Sequence, residues 1–463
     1  MSFSHSVAQR FNNKKRLVKV SWEKTRDEDE VLSSRPQAQA KLLELFGRAV
    51  LSDKLLREML PEYTYKKLIA VREAEREMDS DVAEQVAAAM KEWATRQGAT
   101  HYTHWFQPMN GYTAEKHDSF ISLNKNGGID LKFGGFNLVK GEPDASSFPS
   151  GGIRSTFEAR GYTAWDMNTP AFLRKGISKG QSEYTTLCIP TAFSSYTGDA
   201  LDSKTPLIRS EEVLSKAAVR LLHILGETDV KRVYSTLGAE QEFFLIDRGF
   251  YLLRPDLIAT GRTLIGARPP KGQELEEHYF GKMPRRVQAC LEEVDQELWE
   301  LGVPSMTRHN EVAPSQYEMA PIFEKSTLAC DHNMLTMEIM RDVAKKHGLV
   351  CLLHEKPFSY INGSGKHNNW SMSTNTGKNL LNPGVTPEQN LTFLTFLTAV
   401  LRAVHLHGDL LRAVVTVPGN DYRLGANEAP PAIISVFLGS HLNAVRALWC
   451  CVCVCVCSIC DRC

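Results

Sequence analysis

The chain has 463 residues, 43% of them hydrophobic and 23% charged, so it is long enough for two or three domains with large cores. Lysine plus arginine and aspartate plus glutamate each number 54, which excludes a global field favouring nucleic acid or an anionic membrane. No run reaches the roughly 18 apolar residues of a membrane span. The composition therefore predicts neither a nucleic-acid nor a membrane partner.

Cysteine usage and the N-terminal segment bear on the compartment. Cys188, Cys290, Cys330 and Cys351 are scattered through apolar or helical surroundings, which favours a reducing compartment over a disulfide framework. Residues 1–34 are polar, with a basic start, and are expected to be disordered. We predict a cytoplasmic protein, with import into an organelle by a transit peptide as the alternative.

Hydrophobic spacing predicts helices first and then strands. Residues 37–75 have a helical pattern interrupted at Pro61, and a second helix begins near Asp81 and stops at Gly98. From Thr100 the period shortens to alternation with Asn-Gly and Gly-Gly turns, which predicts a compact β-rich unit.

The second half of the chain alternates between strand and helix patterns. Thr386, Pro387 and Gln389 have the composition of a capping box, so a helix is predicted to begin at Thr386. The remaining predictions are a polar surface insertion at 176–184, helices at 211–225, 284–301 and 327–347, and strands at 233–246, 305–322 with a break at Pro314, and 349–353.

Two loops present polar groups that suit ligand binding. A turn between two prolines carries Asp144 and Ser147; a carboxylate at a loop tip suits a small cation, and an ordinary Asx-turn is the alternative. Residues 362–365, Asn-Gly-Ser-Gly, can bring backbone N–H groups close to an anion. A polar hairpin with a surface histidine is the alternative for this second loop.

A set of carboxylates is the strongest chemical signal. Glu240 and Glu242 are two residues apart on a predicted strand, so both point to one face among apolar neighbours. Such a pair is costly unless a cation or donor compensates it; a solvated face is the alternative. With Glu311, Glu318 and His367 they make an oxygen-rich set that suits Mg²⁺ or Mn²⁺, cations that hold polyphosphate for phosphoryl transfer.

The last informative stretch is residues 418–431. Arg423 can bind a carboxylate or a phosphate through two parallel hydrogen bonds, and Glu428 lies in a Gly/Asn/Pro loop that could hold a general base. A surface ion pair between the two residues is the alternative.

These motifs together resemble glutamine synthetase, most closely its long type III branch. The resemblance runs from about residue 53 to residue 439, and its motifs stand in the family's order. They are His101-Tyr-Thr-His-Trp-Phe-Gln-Pro, Glu115-Lys-His-Asp-Ser-Phe, the Asp144 turn, Gly238-Ala-Glu-Gln-Glu-Phe, Arg308-His-Asn-Glu-Val-Ala-Pro, Asn362-Gly-Ser-Gly-Lys-His-Asn-Asn-Trp-Ser and Arg423-Leu-Gly-Ala-Asn-Glu-Ala-Pro-Pro.

The resemblance implies an α+β fold: a small β-grasp domain followed by an α/β catalytic domain with a curved antiparallel sheet, incomplete at the C-terminus. It implies homo-oligomeric rings with active sites between neighbours, and ATP-dependent amidation of glutamate by ammonium through a γ-glutamyl phosphate. The corresponding division of the chain is a disordered start at 1–34, a helical region at 35–99, the β-grasp-like domain at 100–205, the catalytic domain at 206–449 and a Cys/Val tail at 450–463.

The resemblance also implies roles for single residues. Glu242, Glu311 and Glu318 would bind a first metal, and Glu240 and His367 a second. The other implied roles are glutamate binding by Asn362, Gly363 and Arg423, shielding and proton acceptance by Glu428, an ammonium site at Asp144 with Ser147 nearby, and ATP contacts at Asn369, Ser371 and Phe323.

The sequence departs from the family after Gly439. The family's downstream arginines, a further metal-binding glutamate and a long helical extension are not found, and residues 450–463 alternate cysteine and valine instead. A thymine-guanine repeat would encode that alternation, so we hypothesise that a mis-called exon or retained intron supplied the tail. Transcript reads with a spliced coding junction that yields residues 450–463 would refute this.

Two other functions stay open at this point. The chain as written could be catalytically inactive, as a fragment or a binding or regulatory subunit, and would then aggregate or fail to form rings. Another ATP-dependent amine ligase of the same fold is a third hypothesis, against which the loop with Arg423 and Glu428 argues.

Overall fold

The fold is mixed α+β, as the sequence predicts. A computed structural model describes residues 42–74, 78–108, 111–143, 160–177, 183–267, 272–274, 278–423 and residue 434. The helices are α1 (Asp53–Met59), α2 (Glu62–Ala74), α3 (Ser80–Arg96), α4 (Gly135–Val139), α5 (Lys204–Ile224), α6 (Arg248–Tyr251), α7 (Pro255–Thr260), α8 (Arg285–Glu300), α9 (Ser326–Lys346) and α10 (Leu391–Val415). The strands are β1 (Ala99–Trp105), β2 (His117–Ser119), β3 (Ile121–Leu123), β4 (Ile129–Leu131), β5 (Lys140–Gly141), β6 (Gly161–Trp165), β7 (Phe172–Ile177), β8 (Glu183–Ser195), β9 (Val233–Asp247), β10 (Ser305–Asn310), β11 (Gln316–Pro321), β12 (Glu324–Lys325), β13 (Leu349–Leu352) and β14 (Lys366–Thr374).

The helical N-terminal pattern is confirmed where the structure describes it. Pro61 separates α1 from α2, because proline cannot continue a helix. Helix α3 buries Val82, Val86 and Met90 on one stripe, and Gly98 follows it with φ +85°, a left-handed conformation that favours glycine.

The first sheet has the strand order β2-β1-β8-β6-β5, with β7 also paired to β8. Strands β1 and β8 are parallel, and the other pairs are antiparallel. Trp105 of β1 and Ile189 of β8 are fully buried, so these two paired strands lie in the core. A separate two-stranded hairpin joins β3 to β4.

The second sheet is built around β9 and is antiparallel throughout. Strands β14 and β13 pair in succession with one edge of β9, and β12 and β11 pair with the other; β10 extends the sheet beyond β11. The 15 residues of β9 therefore receive four neighbours, which makes this strand the frame of the second sheet.

One large apolar core joins the two sheets. It includes Trp105 of the first sheet, Phe243 and Leu245 of β9, Leu291 of α8 and Met340 of α9. The helices thus cover one face of β9, and side chains of the opposite parity, including those of 240 and 242, project from the other face.

The ends of the predicted surface insertion at 176–184 pair with each other in the β7–β8 ladder, and the loop 178–182 is outside the described residues. Another local expectation is wrong. Thr386 is not the N-cap of the long helix: it makes no side-chain cap bond, and Pro387–Gln389 is a 3₁₀ turn. Asn390 caps α10 instead, accepting a hydrogen bond from the Phe393 backbone N–H at 3.0 Å, because the proline turn delays the helix by one turn.

Helix α10 is long and apolar enough to cross a membrane by length and composition alone. Only 17% of its most apolar stretch is buried among the described residues. Core helices of water-soluble proteins meet the same criteria, so the expectation of no membrane partner stays a prediction.

Candidate active site

The registers of the second sheet bring the predicted acidic residues to one face. Glu240 and Glu242 alternate along β9, His367 lies opposite Glu240, and Glu318 lies opposite Glu242. His309 lies opposite Glu318 on the next strand. Directly opposed residues of antiparallel strands project to the same side, so all five side chains share the face of the sheet opposite α8 and α9.

Glu311 completes this arrangement from the turn after β10. His309 Nε2 is 3.0 Å from Glu318 Oε1, and His309 Nδ1 is 3.7 Å from Glu311 Oε1. One ligand atom from each of these three residues lies within 4.8 Å of the others, a spacing that could hold a metal ion. We call the six residues the acidic face: Glu240, Glu242, His309, Glu311, Glu318 and His367.

Electrostatics at the acidic face favour a bound cation. Glu311 and Glu318 are only 9% and 8% exposed. Burial raises the pKa of Glu311, and the charge of Glu318 adds to the rise. Burial, and then the charge of Glu240, raises the pKa of Glu318. Carboxylates that are costly to ionise side by side become stable when a divalent cation neutralises them, so these residues fit a metal.

Glu240 lies in a more polar part of the same face. Its Oε1 accepts a hydrogen bond from Asn369 Nδ2 at 2.7 Å, and its Oε2 lies 2.8 Å from His367 Nδ1. Burial raises the pKa of Glu240, but these two hydrogen-bonding partners outweigh it and hold the pKa below its usual range. Glu240 is therefore poised as an ionised ligand beside an imidazole.

The loop at residues 362–365 borders the acidic face. The Gly365 N–H donates to Glu242 Oε2 at 2.7 Å, and the Ser364 N–H donates to the Glu355 carbonyl oxygen at 2.8 Å. A Cβ atom on Gly363 would lie 2.2 Å from that same carbonyl oxygen, so glycine is required there. The loop backbone is thus fixed against both the acidic face and the preceding segment.

Arg423 lies against this loop. A Cβ atom on Gly365 would lie 3.3 Å from Arg423 Nη2 and 3.6 Å from Glu242 Oε2, so guanidinium and carboxylate approach the same glycine. Arg423 Nη1 donates to Asn420 Oδ1 at 3.3 Å, while its buried Nε has no acceptor within the part of the chain that the structure describes. Such a guanidinium can still bind a carboxylate of a ligand.

Two family models match the chain over most of its described length. The model described as glutamine synthetase type III N terminal matches residues 42–210, and that described as glutamine synthetase, catalytic domain, matches residues 216–407. The chain belongs to the type III glutamine synthetase family. The predicted resemblance is confirmed.

Curated relatives agree with this placement. A type-3 glutamine synthetase of Dictyostelium discoideum is 58% identical over 406 residues, which cover 88% of this chain and 55% of the relative. A glutamine synthetase of Bacteroides fragilis is 51% identical over 404 residues, covering 87% and 54%. The chain therefore spans about half the length of the curated relatives that it matches.

A solved structure supports the fold. The cryo-EM structure of Plasmodium falciparum glutamine synthetase aligns with a TM-score of 0.50 at 16% identity, covering 72% of this chain and 62% of that chain. At that identity the likeness shows the fold alone. It agrees with the predicted antiparallel catalytic sheet following a smaller domain.

Of the three residues predicted to contact nucleotide, Asn369 and Ser371 lie on β14, and Phe323 lies between β11 and β12. Asn369 is paired with Gly238, and a Cβ atom on Gly238 would lie 3.5 Å from Phe323 Cβ and 3.8 Å from Asn369 Cβ. The Phe323 side chain is 61% exposed, and Ser371 Oγ donates to Asn379 Oδ1 at 2.8 Å. Phe323 and Asn369 are therefore close neighbours, while Ser371 lies two residues further along the strand.

Three predicted site residues fall outside the described part of the chain. They are Asp144, Ser147 and Glu428. Their assigned roles stay predictions from the family resemblance, as do the roles of the residues described above.

Sequence reasoning missed His309 as a member of the site. Its ring nitrogens lie near both Glu311 and Glu318, and the pKa of this imidazole is raised because contacts with the Asn310 carbonyl and the two carboxylates outweigh its burial. A usable signal was present: Arg308-His-Asn-Glu311 and Tyr317-Glu318 are the ends of one hairpin, so His309 had to pair near Glu318. Without the register, an imidazole beside two acids could not be distinguished from a surface histidine.

Proposed function

We propose that this chain catalyses ATP-dependent ligation of ammonia to glutamate, giving glutamine through a γ-glutamyl phosphate. The observation that carries the proposal is the acidic face, where four carboxylates and two imidazoles lie beside the guanidinium of Arg423. The names of the relatives, glutamine synthetase, support the same reaction.

The metal part of the proposal assigns Glu242, Glu311 and Glu318 to one divalent cation and Glu240 with His367 to a second. The oxygen-rich donor set supports Mg²⁺ or Mn²⁺. When bound, these cations would neutralise the phosphate oxygens of ATP during transfer. Asn369, Ser371 and Phe323 would contact the nucleotide.

The substrate part assigns glutamate to Asn362, Gly363 and Arg423. The γ-carboxylate oxygen of glutamate forms a bond to the γ-phosphorus of ATP as the bond to ADP breaks. The nitrogen of ammonia then attacks the carbonyl carbon, and phosphate leaves. Glu428 would accept the proton lost from ammonium, and Asp144, with Ser147 nearby, would hold ammonium before attack.

We further propose a homo-oligomeric ring in the cytoplasm. The glutamine synthetase neighbours support oligomeric assembly. The described cysteines, Cys188, Cys290, Cys330 and Cys351, are free, which supports a reducing compartment. The mass of the purified chain in solution and the location of a tagged chain test these two statements.

The experiment combines turnover with metal binding on the purified chain. Glutamine and phosphate are measured with glutamate, ammonium, ATP and either Mg²⁺ or Mn²⁺, and Mn²⁺ binding is followed separately by electron paramagnetic resonance. Turnover that is lost in Arg423→Gln but kept in Glu62→Gln, a surface residue paired with Lys66, is the expected result. Mn²⁺ binding without turnover would support an inactive binding chain, and an amine preferred to ammonium would support a different ligase.

A further inference from the structure

We propose that Gln316 is a positioning residue that couples the metal-binding turn to the substrate loop. This inference deepens the proposed function and rests on it, because it concerns how Glu311 and the loop at 362–365 are held in register. Gln316 begins β11 and is only 1% exposed, so its carboxamide interacts with protein groups and not with solvent.

One side of Gln316 closes the turn that carries Glu311. The Glu311 N–H donates to the Gln316 carbonyl oxygen at 2.9 Å, and the Gln316 N–H donates to the Ala313 carbonyl oxygen at 3.1 Å. The Ala313 N–H donates to Gln316 Oε1 at 3.2 Å. Ser315 in this turn has φ 65°, a left-handed conformation that is strained for a residue with a side chain. These contacts hold the turn in one shape.

The other side of Gln316 holds the substrate loop. Gln316 Nε2 donates to the Gly363 carbonyl oxygen at 2.7 Å, and Ser364 Oγ lies 3.5 Å from the same nitrogen. Two residues later the Gly365 N–H donates to Glu242 Oε2. The loop is therefore hydrogen-bonded at Gly365 to Glu242, a proposed metal ligand. At Gly363 it is hydrogen-bonded to Gln316, which closes the turn that carries Glu311.

Only a carboxamide can make both connections at this position. It accepts from Ala313 N–H and donates to Gly363 O at the same time, whereas a carboxylate only accepts and a thioether does neither well. A cation that fixes Glu311 would therefore also restrain Gly363, through Gln316. Coupling of this kind is a free energy shared by two binding sites, and it is reciprocal.

The test measures whether metal binding is transmitted to the loop. Amide hydrogen exchange of the segment spanning residues 361–366 is followed with and without Mn²⁺ in the wild-type chain and in Gln316→Met. In the wild-type chain we expect Mn²⁺ to slow exchange there ~10-fold or more. In Gln316→Met we expect Mn²⁺ still to bind but the slowing to fall below ~2-fold.

Two further variants separate coupling from simple loss of stability. Gln316→Glu, studied at a pH at which infrared spectroscopy shows the introduced carboxyl to be ionised, keeps the size and the acceptor but removes the donor to Gly363, and it decides the question if Gln316→Met does not fold. Gln107→Met makes the same change at another buried glutamine, whose Nε2 donates to Asp331 of α9, and it should lose stability but keep the Mn²⁺ effect.

The outcomes distinguish this inference from the proposed function. If Mn²⁺ slows amide exchange of the loop as much in Gln316→Met or Gln316→Glu as in the wild-type chain, the role of Gln316 is overturned and the proposed function is not. A wild-type chain that does not bind Mn²⁺ would overturn both the proposed function and this inference. Mn²⁺ slowing that is lost only in the two Gln316 variants supports it.

Discussion

Two buried groups of acidic residues in this chain are balanced in different ways. Lys204 at the start of α5 pairs with Asp166 at 2.8 Å and with Asp331 of α9, and the three side chains are only 2%, 4% and 2% exposed. We call these three residues the lysine network. Although burial opposes ionisation, Lys204 holds the pKa of Asp166 below its usual range, while at Asp331 burial outweighs the charge of Lys204 and raises the pKa. Here the compensating charge is part of the fold.

At the acidic face the partners that the structure describes for three of the glutamates are histidines. The ion pairs of Glu240, Glu311 and Glu318 in the described chain are with His367 and His309. The pKa values of Glu311 and Glu318 are raised by burial and then by the charges of neighbouring glutamates. The comparison separates acids that are paired with a buried lysine from crowded acids that are paired with histidines.

The largest effect is expected from removing the internal cation. Lys204→Met leaves two aspartates buried without their partner, which lowers the free energy of unfolding by about 3–5 kcal/mol. Urea denaturation measures this. Lys216→Met removes a lysine of the exposed pair with Glu212 and should change stability by less than ~0.5 kcal/mol. If Lys204→Met lowers the free energy of unfolding no more than Lys216→Met does, Lys204 does not neutralise the two buried aspartates as described.

A smaller effect of opposite sign is expected at the acidic face. Glu318→Gln removes one of several crowded negative charges while keeping an acceptor for His309, so without metal it should raise the free energy of unfolding by ~1 kcal/mol. The same change removes a proposed ligand and should weaken Mn²⁺ binding by ~10–100-fold, about 1.4–2.7 kcal/mol. Titration calorimetry and urea denaturation provide the two measurements, with Glu212→Gln as the control. Destabilisation of the metal-free chain by Glu318→Gln would contradict the comparison.

The acidic face was predictable from sequence to a greater extent than the lysine network. Glu240 and Glu242 lie two residues apart on a strand with an apolar pattern, and strand periodicity alone puts them on one face. The cross-strand partners required the pairing register, which sequence alone does not give. For that reason His309 was missed, while Glu318 was found as a lone acid in a segment that is otherwise nearly uncharged.

The lysine network offered no local signal at all. Lys204 and Asp331 are 127 residues apart. Lys204 precedes the helix predicted at 211–225, which in the structure already begins at Lys204, and Asp331 lies within the helix predicted at 327–347. The predicted start of α10 was wrong for a related reason. Thr386 and Gln389 have the composition of a capping box, but the Pro387–Gln389 turn places Asn390 at the start of the helix. Composition identifies candidate caps and charges, and tertiary packing selects among them.

A pH-dependent effect is expected at a third acid, Glu211 of α5, which is intermediate between the two groups. Burial raises the pKa of Glu211 to about 7 from an ordinary value of 4.5, and contact with Ser235 and the charge of Lys325 offset only part of that rise. Because the folded-state pKa exceeds the unfolded one, the folded chain retains a proton that the unfolded chain has lost between these pH values. The free energy of unfolding therefore falls as pH rises through this window.

Glu211→Gln removes that dependence. The free energy of unfolding of the variant should therefore equal that of the wild-type chain near pH 4.5 and exceed it by about 1–2 kcal/mol at pH 8, allowing for partial exposure of the carboxylate. Urea denaturation of both chains at several pH values measures the difference, with Glu212→Gln, the exposed neighbour, expected to show a flat difference. An advantage that does not change with pH would mean that Glu211 is ionised in the folded chain. In that case the charge of Lys325 would compensate it fully, and Glu211 would belong with the lysine network and not between the two groups.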